Sequence, residues 1–281
     1  MPDPDLRRFA LNQATIPALR LDAAIAASAR SGLGGIGVWR DRLEEIGLPA
    51  AKRALAETGL FVPSLCKSAP LTEPEGPDRR RLMEDNRRAL EQTAEIGADC
   101  LVMVVGGLPG GSRDLADARA WMREGLEELI PYARECGVRL GLEPLHPMYA
   151  ADRSCLNLLA QANDLCDALG PQAAIVADVY HCWWDPDFKN QLRRAGAHRI
   201  ASFHLGDWLL PTRDLLLDRG MVGDGVIDHA RIREWLFDID YEGPFELEIF
   251  SELDWWRRDP EEVLRISIER CRPLVTAKED A

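Results

Sequence analysis

One pattern constrains this chain more than any other: short apolar runs alternate with longer amphipathic stretches, eight times over. The apolar runs fall at 8–12, 35–39, 61–66, 100–105, 139–143, 173–178, 200–204 and 245–249. Their length and aliphatic character predict buried strands, whereas 21–32, 41–58, 78–96, 113–136, 154–169, 187–195, 229–239 and 259–272 repeat at a helical period. Helix stops sit where the alternation needs them, at Gly97, Gly137, Gly170-Pro171 and Gly243-Pro244. Strands separated by helices pair in parallel through right-handed crossovers. Eight such units predict an α/β fold, a single (β/α)8 TIM barrel spanning residues 1–281 as one domain. An open, doubly wound sheet would need a glycine-rich phosphate cradle directly after a strand. The nearest candidate, Gly106-Gly107-Leu108-Pro109-Gly110-Gly111, lacks the nucleotide-binding spacing and carries a proline. It reads as a strand-to-helix loop, with contact to a sugar or phosphate as the other reading.

Charge and cysteine usage narrow the function. Asp and Glu number 47 against 34 Lys and Arg, a formal net charge of -13, which lacks the basic footprint that nucleic acid requires. No apolar run approaches the length that crosses a bilayer, so no membrane partner is expected. The start, MPDPDLRRFALNQ, has no apolar signal core. Cysteines at 66, 100, 136, 155, 166, 182 and 271 are odd in number, widely spaced and without a CxxC pair. That argues against a disulfide framework and a zinc knuckle, and predicts a reduced, cytoplasmic protein whose thiols pack as small core groups.

Strand parity locates the chemistry. Alternate residues of a barrel strand point inward, and the active site lies at the strands' C-terminal ends. In 139–143 the inward set is Arg139, Gly141 and Glu143; in 174–178 it ends on Asp178; in 200–204 it ends on His204; in 245–249 both Glu246 and Glu248 face inward. The last four strands therefore each bring a metal-capable side chain to one rim. Three converging carboxylates repel one another and resist burial, a conflict that one divalent cation removes. Three carboxylate oxygens and an imidazole suit Mn2+ best, with Mg2+, Co2+ or Zn2+ as alternatives. The competing reading is four ordinary solvated strand ends. Glu248 is preferred to Glu246 because it lies nearer the rim. Glu246 would sit one layer deeper, where it needs a partner; the inward-facing Arg139 is expected to supply it.

The segments LGLEPLHP, VADVYHCWWD, FHLGDW, GDGVID and FELEIF together resemble the xylose-isomerase-like TIM-barrel superfamily, over nearly the whole chain. This group includes inosose isomerases, hydroxypyruvate isomerases and ketose 3-epimerases, with the endonuclease IV type as a distant branch. The resemblance implies that Glu143, Asp178, His204 and Glu248 bind one metal and that the two glutamates flank the carbon whose proton moves. It also implies that His181 of Asp178-Val179-Tyr180-His181 contacts substrate, and that Arg219, in the stretch before Gly223-Asp224-Gly225, faces it. The endonuclease branch uses histidines on early strands; here none precedes His146, which speaks against DNA repair.

Further candidates come from position. His146, three residues after Glu143, is a candidate second acid/base. Lys67 and Arg153 are rim cations suited to a substrate oxygen. Trp183 and Trp208 lie just past the metal-bearing strands, where aromatic faces suit sugar C–H groups. The long 206–225 segment is a natural lid. The resulting expectation is a metal-dependent isomerase or epimerase of a sugar, keto-sugar or keto-cyclitol that works through an enediolate with a Glu143/Glu248 proton-transfer pair. The alternatives are a lyase on the same barrel, a dehydratase or 3-keto-glycoside eliminase, and a sugar-binding subunit without activity. A homodimer or homotetramer is compatible with the surplus tryptophans.

Overall fold

The alternation is realised as a closed barrel in the computed structural model, which describes residues 3–276. The strands in chain order are β1 (Phe9–Asn12), β2 (Gly35–Trp39), β3 (Val62–Cys66), β4 (Ala98–Met103), β5 (Arg139–Leu142), β6 (Ala173–Asp178), β7 (Ile200–Leu205), the short β8 (Asp207–Trp208) and β9 (Arg219–Gly220), and β10 (Phe245–Leu247). Among the described residues, all but β8 and β9 close in the order β1-β10-β7-β6-β5-β4-β3-β2, every pairing parallel. The exceptions, β8 and β9, form a separate antiparallel ribbon above the rim.

Helices at Leu21–Arg30, Pro77–Glu95, Leu115–Cys136, Leu159–Leu169, Phe188–Arg199, His229–Phe237 and Pro260–Val275 wrap the outside. The stretch 41–58 is not one helix. It divides at Gly47, whose φ of 78° interrupts the helical path, into Arg40–Ile46 and Leu48–Thr58. The helix expected from 154 begins at Leu159, because 154–158 is spent on loop contacts: the Asn157 amide group donates to the Leu145 and Ser154 carbonyls. Outward strand residues such as Leu11, Ile36, Leu65, Leu101, Leu140, Ile175 and Phe203 are fully buried against the helices. Each is worth about 1.5–3 kcal/mol of transfer free energy. Cys66, Cys100, Val102, Ala174, Val176 and Ala201 form a second apolar cluster of their own. Inward-facing residues fill the middle of a barrel of this kind, which leaves its upper rim for a site. Six of the seven cysteines are buried and none is bridged. No helix among the described residues is long and apolar enough to cross a membrane.

The expected pairing of Arg139 with Glu246 is wrong. Arg139 starts β5 at the lower mouth, where it is half-buried; its guanidinium turns to Asp99 and to the His198 carbonyl. Inward parity at the bottom of a strand points toward solvent, so a long cation there reaches a neighbour on the next strand instead of the deep layer.

Candidate metal centre and active-site pocket

Strand register sets the centre. Asp178 at the end of β6 lies level with His204 of β7, and His204 lies level with Glu246 of β10. Glu143 follows β5 by one residue, and Glu248 stands two residues above Glu246 on the same face. As a result, one ligand atom from each of Glu143, Asp178, His204 and Glu248 lies within 4.8 Å of the others, and all four side chains are buried. His204 Nδ1 is 3.7 Å from Glu143 Oε1 and 4.0 Å from Glu248 Oε2.

Below this layer lies Glu246, fully buried. Its carboxylate accepts from Asn12 Nδ2 at 2.6 Å, from Ser64 Oγ at 2.9 and 3.1 Å, and from Ser202 Oγ at 3.3 Å. His204 Nε2 stands 3.2 Å from Glu246 Oε2. The deep carboxylate thus holds the far nitrogen of the imidazole and leaves Nδ1 facing the ligand cluster, the arrangement that orients a metal-binding histidine.

Above the layer, the buried Arg219 enters from β9. Its Nη1 donates to Asp178 Oδ2 at 3.0 Å and to Glu248 Oε2 at 3.2 Å, and Nη2 is 3.3 Å from His181 Nε2. Its guanidinium stacks over Tyr180 at 4.4 Å and Phe250 at 4.9 Å. The ribbon that delivers it is folded by Asp207, whose carboxylate accepts from the amides of Gly223, Gly225 and Ile227.

The electrostatics record the crowding. Burial, then the neighbouring Glu248, push the Glu143 carboxyl up to about 8. Burial also raises Glu248, although Arg219 and His204 oppose the rise. For Asp178 burial acts the same way but loses to Arg219, His181 and His204, which hold it below its ordinary value. Burial disfavours charge on His204, yet Glu246, Glu248 and Glu143 outweigh it and raise the imidazole to about 10. Burial lowers His181 to about 3, so it is neutral at physiological pH.

These residues fit a divalent cation. Nδ1 of the buried His204, the nitrogen that faces the cluster, makes no hydrogen bond to protein. Three carboxylates crowd the same few ångströms, and the donor set is hard to borderline.

A pocket of about 400 Å³, including its open mouth, rises from the centre and is lined by Lys67, Glu143, Arg153, His181, Arg219 and Glu248 together with Trp39, Tyr149 and Phe250. Lys67, Arg153, His181 and Arg219 therefore meet over the two glutamates. His146, Trp183 and Trp208 do not line this pocket. They form an aromatic group with Tyr180 and Trp184 beside it: the Trp208 ring is 4.9 Å from His146, 4.9 Å from Tyr180 and 5.7 Å from Trp183. Asn12, Ser64, Ser202, Trp39, Tyr149 and Phe250 belong to the site and were not singled out from the sequence.

Comparison with known proteins agrees with this architecture. Residues 25–274 match the family model for the xylose isomerase-like TIM barrel. The crystal structure of protein SMc04130 from Sinorhizobium meliloti 1021 is 44% identical, with a TM-score of 0.94 over 97% of this chain and 100% of that one. L-ribulose-5-phosphate 3-epimerase UlaE of Salmonella typhi is 28% identical over 204 residues, 71% of this chain and 68% of that protein. A crystal structure of the IolI protein with a bound zinc atom shares the fold at 18% identity, with a TM-score of 0.82 over 95% of this chain and 98% of that one.

Proposed function

The chain belongs to the xylose isomerase-like TIM barrel family, and we propose that it is a divalent-metal-dependent isomerase or epimerase of a sugar, keto-sugar or keto-cyclitol. One observation carries the reading: a buried Glu-Asp-His-Glu set, one residue from each of four neighbouring strands, at the floor of an open pocket. Its similarity to a sugar-phosphate epimerase supports a carbohydrate substrate.

Glu143, Asp178, His204 and Glu248 would hold the cation, with Mn2+ best matched to the donor set and Mg2+, Co2+ or Zn2+ as alternatives. Bound there, the cation supplies Lewis acidity toward a substrate carbonyl and the adjacent hydroxyl. Glu143 and Glu248 also line the pocket, so the same carboxylates meet the substrate, and their raised proton affinities suit a pair that takes and returns a proton. Arg219, locked to Asp178 and Glu248 and stacked on two rings, presents a fixed positive charge beside the reacting oxygens. Tyr149, Trp39 and Phe250 give the sugar's C–H faces apolar walls. The lyase alternative would use His146 or His181 as the general acid; His146 does not line the pocket, and His181 is held neutral.

The test is metal analysis of the purified protein, followed by a panel of ketoses and inososes in D2O. Deuterium should enter the carbon next to the carbonyl without loss of mass. A metal-loaded protein that exchanges no carbon-bound proton in any panel member would refute the proposal, and loss of water or an aglycone would turn it into the lyase.

A further inference from the structure

A second compartment adjoins the pocket. It is lined by Lys67, Ser68, Thr72, the glycine-rich 106–110 segment and Arg153, and encloses about 720 Å³ including its open side. Lys67, Val104 and Arg153 line both spaces, so the two cations stand at the boundary.

Neither cation is in an ion pair. In a chain of net charge -13, most arginines sit in ion pairs, yet neither Lys67 nor Arg153 has a carboxylate within 4.0 Å among the described residues. Arg153 instead lies 5.5 Å from the Tyr149 ring centre. Burial, then the nearby charge of Arg153, lowers the proton affinity of the half-buried Lys67, and the more distant Glu143 and Glu248 offset only part of this. Two adjacent half-buried cations without a partner are costly unless an anion sits between them.

The loop is built to hold this arrangement. A Cβ on Gly107 would lie 2.4 Å from the Ala151 carbonyl oxygen, so only glycine allows the 106–110 segment to lie against 151–154. Leu108 N donates to Ala151 O and Cys155 N to Gly106 O, which clamps the loop that carries Arg153. The amides of Gly107 and Gly110 donate to no protein acceptor among the described residues. Thr72 and Ser68 add hydroxyls. Glu73 and Asp152 also line the compartment but not the metal pocket, so the positive end of the compartment is the one nearest the metal.

We propose that Lys67 and Arg153 form an oxyanion subsite: the substrate carries a phosphate monoester or carboxylate at the end of its carbon chain remote from the reacting carbons, and this group seats between the two cations. The inference rests on the sugar isomerase or epimerase reading and narrows its substrate to an acidic sugar. The glycine loop and hydroxyls offer donors for the oxygens left over after the cations have bound.

The experiment compares binding of ribulose, ribulose 5-phosphate and fructuronate to the full-length, metal-loaded protein by titration calorimetry. Variants K67Q, R153Q and the double variant follow. At least one of the two anionic sugars should bind about tenfold or more tightly than ribulose in the wild type. The anion that wins identifies the group. The advantage should shrink with added salt, fall in each single variant and vanish in the double variant, while K67R restores part of it. Retained metal in each variant reports an intact barrel. Equal affinity for neutral and anionic sugars in the wild type, or an anionic advantage that survives in the double variant, overturns the subsite. Because binding is read without turnover, failure of the subsite is distinct from failure of the isomerase reading, which the deuterium panel tests separately.

Discussion

Replacing Glu246 with Gln tests the deep layer directly. The carboxylate now faces three hydrogen-bond donors from Asn12, Ser64 and Ser202, and the Nε2 side of His204. A glutamine oxygen can keep the 2.6 Å bond from Asn12 Nδ2, which places its amide nitrogen toward the serines and His204. The serine hydroxyls rotate and accept. His204 Nε2–H cannot; once the imidazole has given up one proton, as cation binding would require, the remaining proton is driven to Nδ1, the nitrogen that points at Glu143 and Glu248. The lone pair that would bind the cation is then gone. Loss of such an outer partner costs about 10–100-fold in metal affinity, or about 1.4–2.7 kcal/mol. Exchanging a charged acceptor for a neutral one costs stability as well, about 1–3 kcal/mol. Manganese titration by calorimetry measures the first effect and urea unfolding the second. If metal affinity stays within about twofold of wild type while stability drops, Glu246 is a structural residue only and does not orient the imidazole.

Other perturbations address neighbouring parts. Gly37→Ala would place a Cβ 1.7 Å from Glu246 Oε1 and 3.1 Å from Asn12 Nδ2; overpacking of about 1–3 kcal/mol should appear in urea melts, with weakened metal binding, and a neutral outcome would mean the deep carboxylate has another resting place. Glu248→Gln should lower turnover by about 10²–10⁴ and metal affinity less, since three ligands survive; steady-state rates at saturating metal decide it. Metal binding should tighten as pH rises, because Glu143, near 8, and His204, near 10, both hold protons at pH 7 in the metal-free protein and must release them. Calorimetry in buffers of different ionisation enthalpy should count about two protons released at pH 7 and about one above pH 8; binding without proton release would contradict this picture. Within the lid candidate, hydrogen exchange at 209–217, where Leu210 is 70% exposed, should slow on ligand binding, whereas 219–227, pinned by Asp207, should not change. Identical protection of 209–217 with and without ligand would remove the lid role.

Much of the site could be read from strand parity, because a two-residue period admits no intermediate register. Glu143, Asp178, His204 and Glu248 converge as the parity of the last four strands requires. The same rule applied to the first three strands finds Asn12, Trp39, Ser64 and Cys66, each inward or at a rim end, yet no charged residue there drew attention to them. Phe250 shares parity with Glu246 and Glu248 beyond the end of β10, where no strand was expected to reach. Parity misled at Arg139 because it gives direction and not depth: the first residue of β5 opens on the lower mouth, and Asp99 beside it was closer than any buried acid. Helix boundaries failed where a side chain or glycine took over a backbone partner, at Gly47 and in 154–158. The ribbon of β8 and β9 carries no periodic signal in two-residue strands; it is held by one aspartate accepting from three amides.

The position of Arg219 would make the loop and a cation at the centre thermodynamically reciprocal. The guanidinium is itself a cation among the candidate ligands, bonded to Asp178 and Glu248, and it belongs to the 206–225 connection and not to the barrel wall. Two positive charges that share carboxylates oppose each other, so whatever draws Arg219 away would strengthen the grip on a bound cation, and the arriving cation would loosen the arginine by the same factor. An acidic or hydroxyl-rich ligand that gives Arg219 a new partner would therefore act as an effector of cation affinity at the same site. Arg219 meanwhile partly neutralises these carboxylates by itself, so the same side chain would preserve the shape of the centre between one cation and the next.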